Sequence, residues 1–159
     1  MIHIYTDGGC SGNPGPGGWG YVIMRNEEGG RRNGEEGNSV LLEEKCGGEK
    51  LTTNNRMELQ AVIAALEALP QLKAGAEKIT IFTDSQYVQK GITCWIDDWK
   101  KRGWKTSDKK PVKNQDLWQR LEALAAAFSI NWTWVKGHSG NEYNEHCDAL
   151  TQKAIACNQ

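Results

Sequence analysis

The sequence has no C-x-x-C pair, no strongly apolar run longer than Ala61 to Leu66, and a formal net charge of only −1. Each shortage removes a class of protein. The apolar run is far short of the roughly 20 residues that span a bilayer, and the N-terminus passes at once into a strand pattern. A cytoplasmic protein without a membrane segment is expected. Cys10, Cys46, Cys94, Cys147 and Cys157 form an odd, scattered set, unlike the disulfide framework of a small secreted domain, so reduced thiols are expected. His3, His138 and His146 do not combine with them at zinc-site spacing, and adjacent His146 and Cys147 point to different faces of a helix. With so little net charge, any nucleic-acid partner must be met by local patches.

Phosphate-loop signatures are also missing. No Gly-Lys-Ser/Thr follows the N-terminal glycines. Gly15 to Gly20 spells G-x-G-x-x-G, but that fingerprint needs a helix opening on it. Here Trp19-Gly20-Tyr21-Val22-Ile23-Met24 follows, an aromatic and β-branched strand pattern. The 159 residues suit one domain, 1–159, able to bury roughly two thirds of its unfolded surface.

What is present begins with strands at about 2–6 and 18–24, joined through a Gly- and Pro-rich turn entered at Asp7. Asp-Gly is a common turn pair, so Asp7 taken alone reads as a turn residue. Arg25 to Lys50 is rich in glycine and glutamate and predicts long exposed turns, with Val40-Leu41-Leu42 as the one candidate strand. Thr52 to Glu58 opens a helix with the apolar stripe Leu59, Val62, Ile63, Leu66 and Leu69, ended by Pro70. Asn55 with Glu58 three residues on resembles a capping box, which would give Glu58 a purely structural task. Its other reading is a carboxylate facing the adjoining sheet.

Lys78 to Thr83 is β-prone and ends in Thr-Asp, as the first strand does. Strand, helix and strand in this order predict a right-handed crossover with parallel pairing. Asp7 and Asp84 then fall at the carboxyl ends of neighbouring strands, where α/β sheets build their sites. Asp84 reads equally well as a helix cap before Ser85.

Between Trp95 and Lys113, seven basic residues against Asp97, Asp98 and Asp108 leave an excess of four positive charges, interleaved with Trp95, Trp99 and Trp104. That mixture suits a nucleic-acid backbone, with cations on phosphates and indole rings on sugars or bases. For the tryptophans a core role stands beside it. A helix at Asn114 to Phe128, a strand at Asn131 to Val135 and a last helix with stripe Tyr143, Cys147, Leu150 and Ala154 complete the chain. His138 lies in the glycine-flanked loop between the last two, and Asp148 beside the final stripe.

Four carboxylates, Asp7, Glu58, Asp84 and Asp148, are thus carried by two strand ends and two helices. Gathering them in one dry site without a cation would be costly, so a divalent metal is the natural partner, and all-oxygen ligation selects Mg2+ or Mn2+.

Tyr5-Thr-Asp-Gly, Gly12 to Gly18, Thr52 to Leu59, Thr83-Asp-Ser-Gln-Tyr-Val88, Trp99 to Thr106, Lys109 to Asn114, Asp116 to Leu121 and Trp134-Val-Lys-Gly-His138 together resemble bacterial type 1 ribonuclease H over most of the chain. The resemblance implies an α/β fold, a five-stranded mixed sheet in the order 3-2-1-4-5 flanked by helices. It implies hydrolysis of the RNA strand of RNA-DNA hybrids by a monomer using two Mg2+ ions, with 5′-phosphate and 3′-hydroxyl ends. Asp7, Glu58, Asp84 and Asp148 match the metal-binding carboxylates, and His138 matches a loop histidine that assists proton transfer or product release. Cys10, Asn13, Asn54, Asn55 and Gln86 match minor-groove and sugar contacts, and Thr53 matches a DNA-phosphate contact. The stretch of about 95–113 resembles a basic protrusion that holds the DNA strand, with Trp95, Trp99, Lys100, Lys101, Trp104, Lys109, Lys110 and Lys113. Leu51 and Asp98 depart from the family pattern, where an arginine and an asparagine are common. Two alternatives share these features: a hybrid-binding module without catalysis, which would lack one of the acids, and a recombinase-type nuclease domain, which would lack the protrusion.

Overall fold

The computed structural model describes residues 1–26, 39–72, 77–136 and 142–159. Among these residues, strands Ile2–Cys10 (β1), Gly15–Asn26 (β2), Ser39–Thr52 (β3), Ile79–Thr83 (β4) and Ile130–Trp134 (β5) make one sheet in the order β3-β2-β1-β4-β5. β1, β2 and β3 pair antiparallel, and β4 runs parallel to both β1 and β5. This is the mixed sheet expected, reached by the crossover through helix Asn54–Ala68 (α1). The remaining helices are Gln86–Lys90 (α2), Ile96–Lys101 (α3), Gln115–Ala125 (α4) and Glu142–Cys157 (α5).

Alternation along the strands sorts side chains to two faces. Ile2, Ile4, Tyr21, Ile23, Ile79 and Ile81 meet Leu59, Val62, Ile63 and Leu66 of α1, and Leu117, Trp118 and Leu121 of α4. Tyr5, Val22 and Met24 point the other way and pack with Cys147 of α5. Tyr5 stacks on Phe82, the ring centroids 4.8 Å apart, which carries the second face across to β4. The helical stripe of α1 is therefore a core stripe, as its spacing predicted. α1 ends at Ala68, and Pro70 sits in the 3-10 turn Leu69–Leu72 that follows.

The structure corrects several boundaries. β1 does not stop at Asp7; it continues through Gly8 and Gly9 to Cys10, pairing Asp7 with Gly20, Gly9 with Gly18 and Cys10 with Gly17. Glycines opposite glycines make a strand that local composition disguises as a turn. β3 runs from Ser39 to Thr52 rather than over three residues, because an edge strand with one solvated side tolerates the Glu and Lys that obscured it. Within the last helix, Thr151 and Ile155 are buried with Cys147 and Ala154, while Tyr143 and Leu150 are half-buried. Residues 27–38 of the glycine- and glutamate-rich segment, and the loop carrying His138, lie outside the described residues.

Two close approaches seat the helices that carry acids. A Cβ on Gly8 would lie 2.4 Å from the backbone nitrogen of Glu58, so α1 rests directly on the β1 backbone. A Cβ on Gly18 would lie 2.8 Å from the backbone of Thr151 and of Ile155, so α5 rests in the same way on β2.

Candidate active site

β1 and β4 pair only from Ile2 with Ile79 to Tyr5 with Phe82. Beyond that register the two strands part, and Asp7 and Asp84 stand on either side of the opening. Glu58 enters it from the first turn of α1. The cap of that helix is Thr53, whose hydroxyl accepts from the Arg56 amide at 3.3 Å. The capping-box reading of Asn55 and Glu58 is thereby overturned, and Glu58 has no part in closing the helix end. The cap of α2 is Ser85, accepting from the Val88 amide at 3.1 Å, so Asp84 is not a cap either. Indole Nε1 of Trp134 donates to the Asp84 carbonyl at 3.1 Å and ties that residue to the end of β5.

Asp7, Glu58 and Asp84 each offer a carboxylate oxygen within 4.8 Å of the others. Three carboxylate oxygens gathered this closely could together hold a divalent cation, and such hard oxygen donors suit magnesium. The electrostatics agree. Burial, then the charge of Asp84, pushes the Asp7 carboxyl up to about 7, against the Thr151 hydroxyl and the Gly8 amide, which favour its charged form. Burial likewise pushes Glu58 up to about 7, with the Ser85 hydroxyl opposing it and Asp84 and Asp7 adding to it. Such a cluster is short of positive charge, and a divalent cation supplies it. Asp148 on α5 stands outside the close triad, near enough for its charge to act on Asp7. Three of the four expected carboxylates are thus brought together, with the fourth beside them.

Around the triad, Asn13 accepts from the Asn54 amide at 3.2 Å, joining the β1–β2 connection to the start of α1. The Cys10 thiol donates to the carbonyls of Gly15 and Thr52 at 3.2 and 3.3 Å. Asn13, Asn54, Asn55 and Gln86 are exposed, and Thr53 is half-buried. The basic stretch is less uniform than its sequence suggested. Lys101, Lys109, Lys110 and Lys113 are exposed, whereas Lys100 is ion-paired with Glu122 of α4. Trp99 packs edge-on to the fully buried Trp118, centroids 5.5 Å apart, and Trp104 and Trp95 flank it at 6.3 and 5.8 Å. The core reading of Trp99 and Trp104 therefore holds for most of each ring. Trp104, Lys109 and Asn114 all adopt positive φ, concentrating left-handed non-glycine backbone in this one segment.

A ribonuclease H family model matches residues 1–156. The chain belongs to the ribonuclease H family. Among relatives of this ribonuclease H family member, the ribonuclease H of Phenylobacterium zucineum (strain HLK1) is 54% identical over 155 residues, covering 98% of this chain and 90% of that protein. Among solved structures, LC9-RNase H1, a type 1 RNase H with the type 2 active-site motif, superposes with a TM-score of 0.80 at 32% identity, covering 99% of this chain and 73% of that one. LC11-RNase H1, solved in complex with an RNA/DNA hybrid, gives 0.72 at 25% identity, covering 99% and 98%. In this ribonuclease H family member, Ser85, Trp134 and Thr151 touch or face the acids without having been singled out in the sequence. Ser85 was visible as the residue after Asp84, and Thr151 lies one turn after Asp148.

Proposed function

We propose that the chain is an endonuclease that hydrolyses the RNA strand of RNA-DNA hybrids, leaving 5′-phosphate and 3′-hydroxyl ends largely regardless of sequence. One observation carries the chemistry: three carboxylates from β1, α1 and the end of β4 converge within 4.8 Å where the strands part. Membership of the ribonuclease H family supplies the substrate class, and the hybrid bound by LC11-RNase H1 supports it.

Asp7, Glu58 and Asp84 would hold Mg2+, or Mn2+, with Asp148 beside them as a further carboxylate ligand. Two such ions, when bound, activate a water and stabilise the charge that develops on the leaving 3′-oxygen. Water oxygen bonds to phosphorus, the bond from phosphorus to the 3′-oxygen breaks, and a proton ends on that oxygen. The protein's own part is to fix the oxygens. Ser85 Oγ accepts from the Val88 amide, and the same hydroxyl lies near enough to favour the charged form of Glu58, so the start of α2 bears on an acid of α1. His138 is assigned to proton transfer or product release.

Substrate choice rests on a surface next to the triad. Cys10, Asn13, Asn54, Asn55 and Gln86 lie where sugars in a minor groove can be tested for the 2′-hydroxyl, the group that separates RNA from DNA. Thr53, Lys101, Lys109, Lys110 and Lys113, with the open edges of Trp95, Trp99 and Trp104, would hold the DNA strand. Lys100 would have to leave Glu122 to join them. We read the chain as one domain with its protrusion at about 95–113, acting as a monomer in the cytoplasm, where its five free cysteines stay reduced. No described helix is long and apolar enough to cross a membrane.

Incubation with an RNA-DNA hybrid labelled on the RNA strand, with Mg2+, is expected to give RNA fragments with 3′-hydroxyl ends and intact DNA. A folded protein that leaves the RNA whole would overturn the reading, and equal cleavage of a DNA duplex would favour the recombinase-type alternative. Lys109→Gln with Lys110→Gln is expected to raise KM for the hybrid, leave kcat nearly unchanged and flatten the salt dependence. Each lysine–phosphate pairing abolished takes roughly 0.7–0.9 off the slope of log affinity against log salt. An identical slope in the doubly substituted protein would separate the protrusion from the DNA strand.

A further inference from the structure

Thr151 is 1% exposed and its Oγ1 has no hydrogen-bond partner among the described residues. That is unusual for a threonine inside a helix, which ordinarily returns its proton to a carbonyl one turn back. The position of the side chain explains where the hydroxyl is directed. Asp7 and Gly9 are two residues apart on β1 and share a face of the sheet. Thr151 Cγ2 is 3.8 Å from the place a Cβ would occupy on Gly9, and its backbone lies against Gly18 and Gly20 of β2. The methyl group therefore rests on Gly9, which shares its face of β1 with Asp7, and the hydroxyl lies near enough to Asp7 to favour its charged form without bonding to it. Asp148, three residues earlier on α5, shares this helix face.

We propose that Thr151 is a positioning residue of the carboxylate cluster: its hydroxyl turns toward Asp7 and fixes which carboxylate oxygen Asp7 presents to a divalent cation. The proposal rests on the reading of Asp7, Glu58 and Asp84 as cation ligands. With no partner among the described residues, the buried hydroxyl gains a full hydrogen bond if Asp7 swings onto it, so α5 and the cluster are linked through this donor. Outer partners of metal ligands commonly change affinity or turnover by about 10- to 100-fold when removed. A hydroxyl with only a packing role would show nothing of the kind, because valine has the same shape and discards an unpartnered polar group.

The test is Mn2+ binding to the full chain without nucleic acid, followed by titration calorimetry and by the loss of free-ion Mn2+ paramagnetic resonance signal, in Thr151→Val, Thr151→Ser and Asp7→Asn. Thr151→Val is expected to bind Mn2+ about tenfold more weakly and to lower kcat with KM for the hybrid unchanged, while its melting temperature is equal or higher. Thr151→Ser, which keeps the donor, is expected to bind within about twofold of the parent. Parental Mn2+ binding by Thr151→Val would overturn the proposal, as would Thr151→Ser binding as weakly as Thr151→Val. If valine prevents folding, Thr151→Ala against Thr151→Ser decides the same question. Asp7→Asn separates the two levels: its failure to lose Mn2+ binding would remove the metal-site reading, whereas its loss beside a normal Thr151→Val would remove only the assignment of Thr151.

Discussion

Asp7→Asn is expected to give a protein that melts higher than the parent in the absence of metal and cleaves hybrid about a thousandfold more slowly in its presence. The two effects have one origin. Folding takes the Asp7 carboxyl from an ordinary 3.8 to about 7 because it is buried beside Asp84. Above 3.8 the unfolded chain has released this proton while the folded one still binds it, so stability falls as pH rises, and it stops falling near 7. At about 1.4 kcal/mol for each pH decade, full ionisation destabilises the metal-free fold by up to about 4 kcal/mol. Asparagine removes that penalty. Differential melting of the two metal-free proteins should show no gap below about pH 4, a gap that widens through pH 5 and 6, and a constant gap above about pH 7. Each kcal/mol is worth roughly 2–4 °C at this chain length. Added Mg2+ should then raise the melting temperature of the parent and leave Asp7→Asn unchanged, since only the parent gains binding energy in the folded state. The loss in turnover follows from forfeiting several kcal/mol of charge stabilisation, at about 1.4 kcal/mol per tenfold. A metal-free gap of opposite sign, or retained turnover, would show that Asp7 does not sit in an under-compensated acidic cluster.

Gly8→Ala should harm activity more than its melting temperature suggests. The added methyl would stand 2.4 Å from the Glu58 nitrogen and from the Met57 carbonyl carbon. Both are backbone atoms in the first turn of α1, so no side chain can rotate away and the helix must lift. Overpacking of this kind costs about 1–3 kcal/mol. The lift carries Glu58 with it, and a displacement of about 1 Å in an active group can lower turnover on the order of a hundredfold. Gly9→Ala is the matched control, since its methyl would meet only Ile155 Cδ1 and Thr151 Cγ2 at 3.8 Å. Thermal melts and kcat for the two variants should diverge sharply. If Gly8→Ala retained full kcat, α1 would not depend on the bare backbone of β1 for its seat.

What the sequence made legible depended on how local the determining interaction was. The stripe of α1, the β-prone run ending at Asp84 and the paired Thr-Asp endings identify both strands and their crossover from neighbours in the chain. The continuation of β1 past Asp7 depends instead on Gly17, Gly18 and Gly20 lying opposite, which composition read residue by residue reports as a turn. β3 was hidden for a related reason: its outer edge is solvated, so Glu43 to Glu49 lacks the apolar alternation that marks a strand. At the site, Asp7, Glu58 and Asp84 were recognisable as acids at strand and helix ends. Their release from structural duty was not, because it required seeing Thr53 and Ser85 take the caps. Thr151 belongs to the same class. Nothing near it in sequence distinguishes it from a solvated helical threonine, and it is the packing of α5 on Gly9 and Gly18 that buries its side chain.

The seating of α1 and α5 on glycine backbone also bears on how this protein can change over generations. The close approaches that hold the architecture involve no carboxylate, and the carboxylates that do the chemistry weaken the metal-free architecture. Loss of a carboxylate therefore leaves the scaffold standing, whereas a change at Gly8 disturbs both scaffold and chemistry. An aspartate codon becomes an asparagine codon by a single G-to-A transition, so an inert but sturdier descendant, still shaped to lie along a hybrid, is only one point mutation distant.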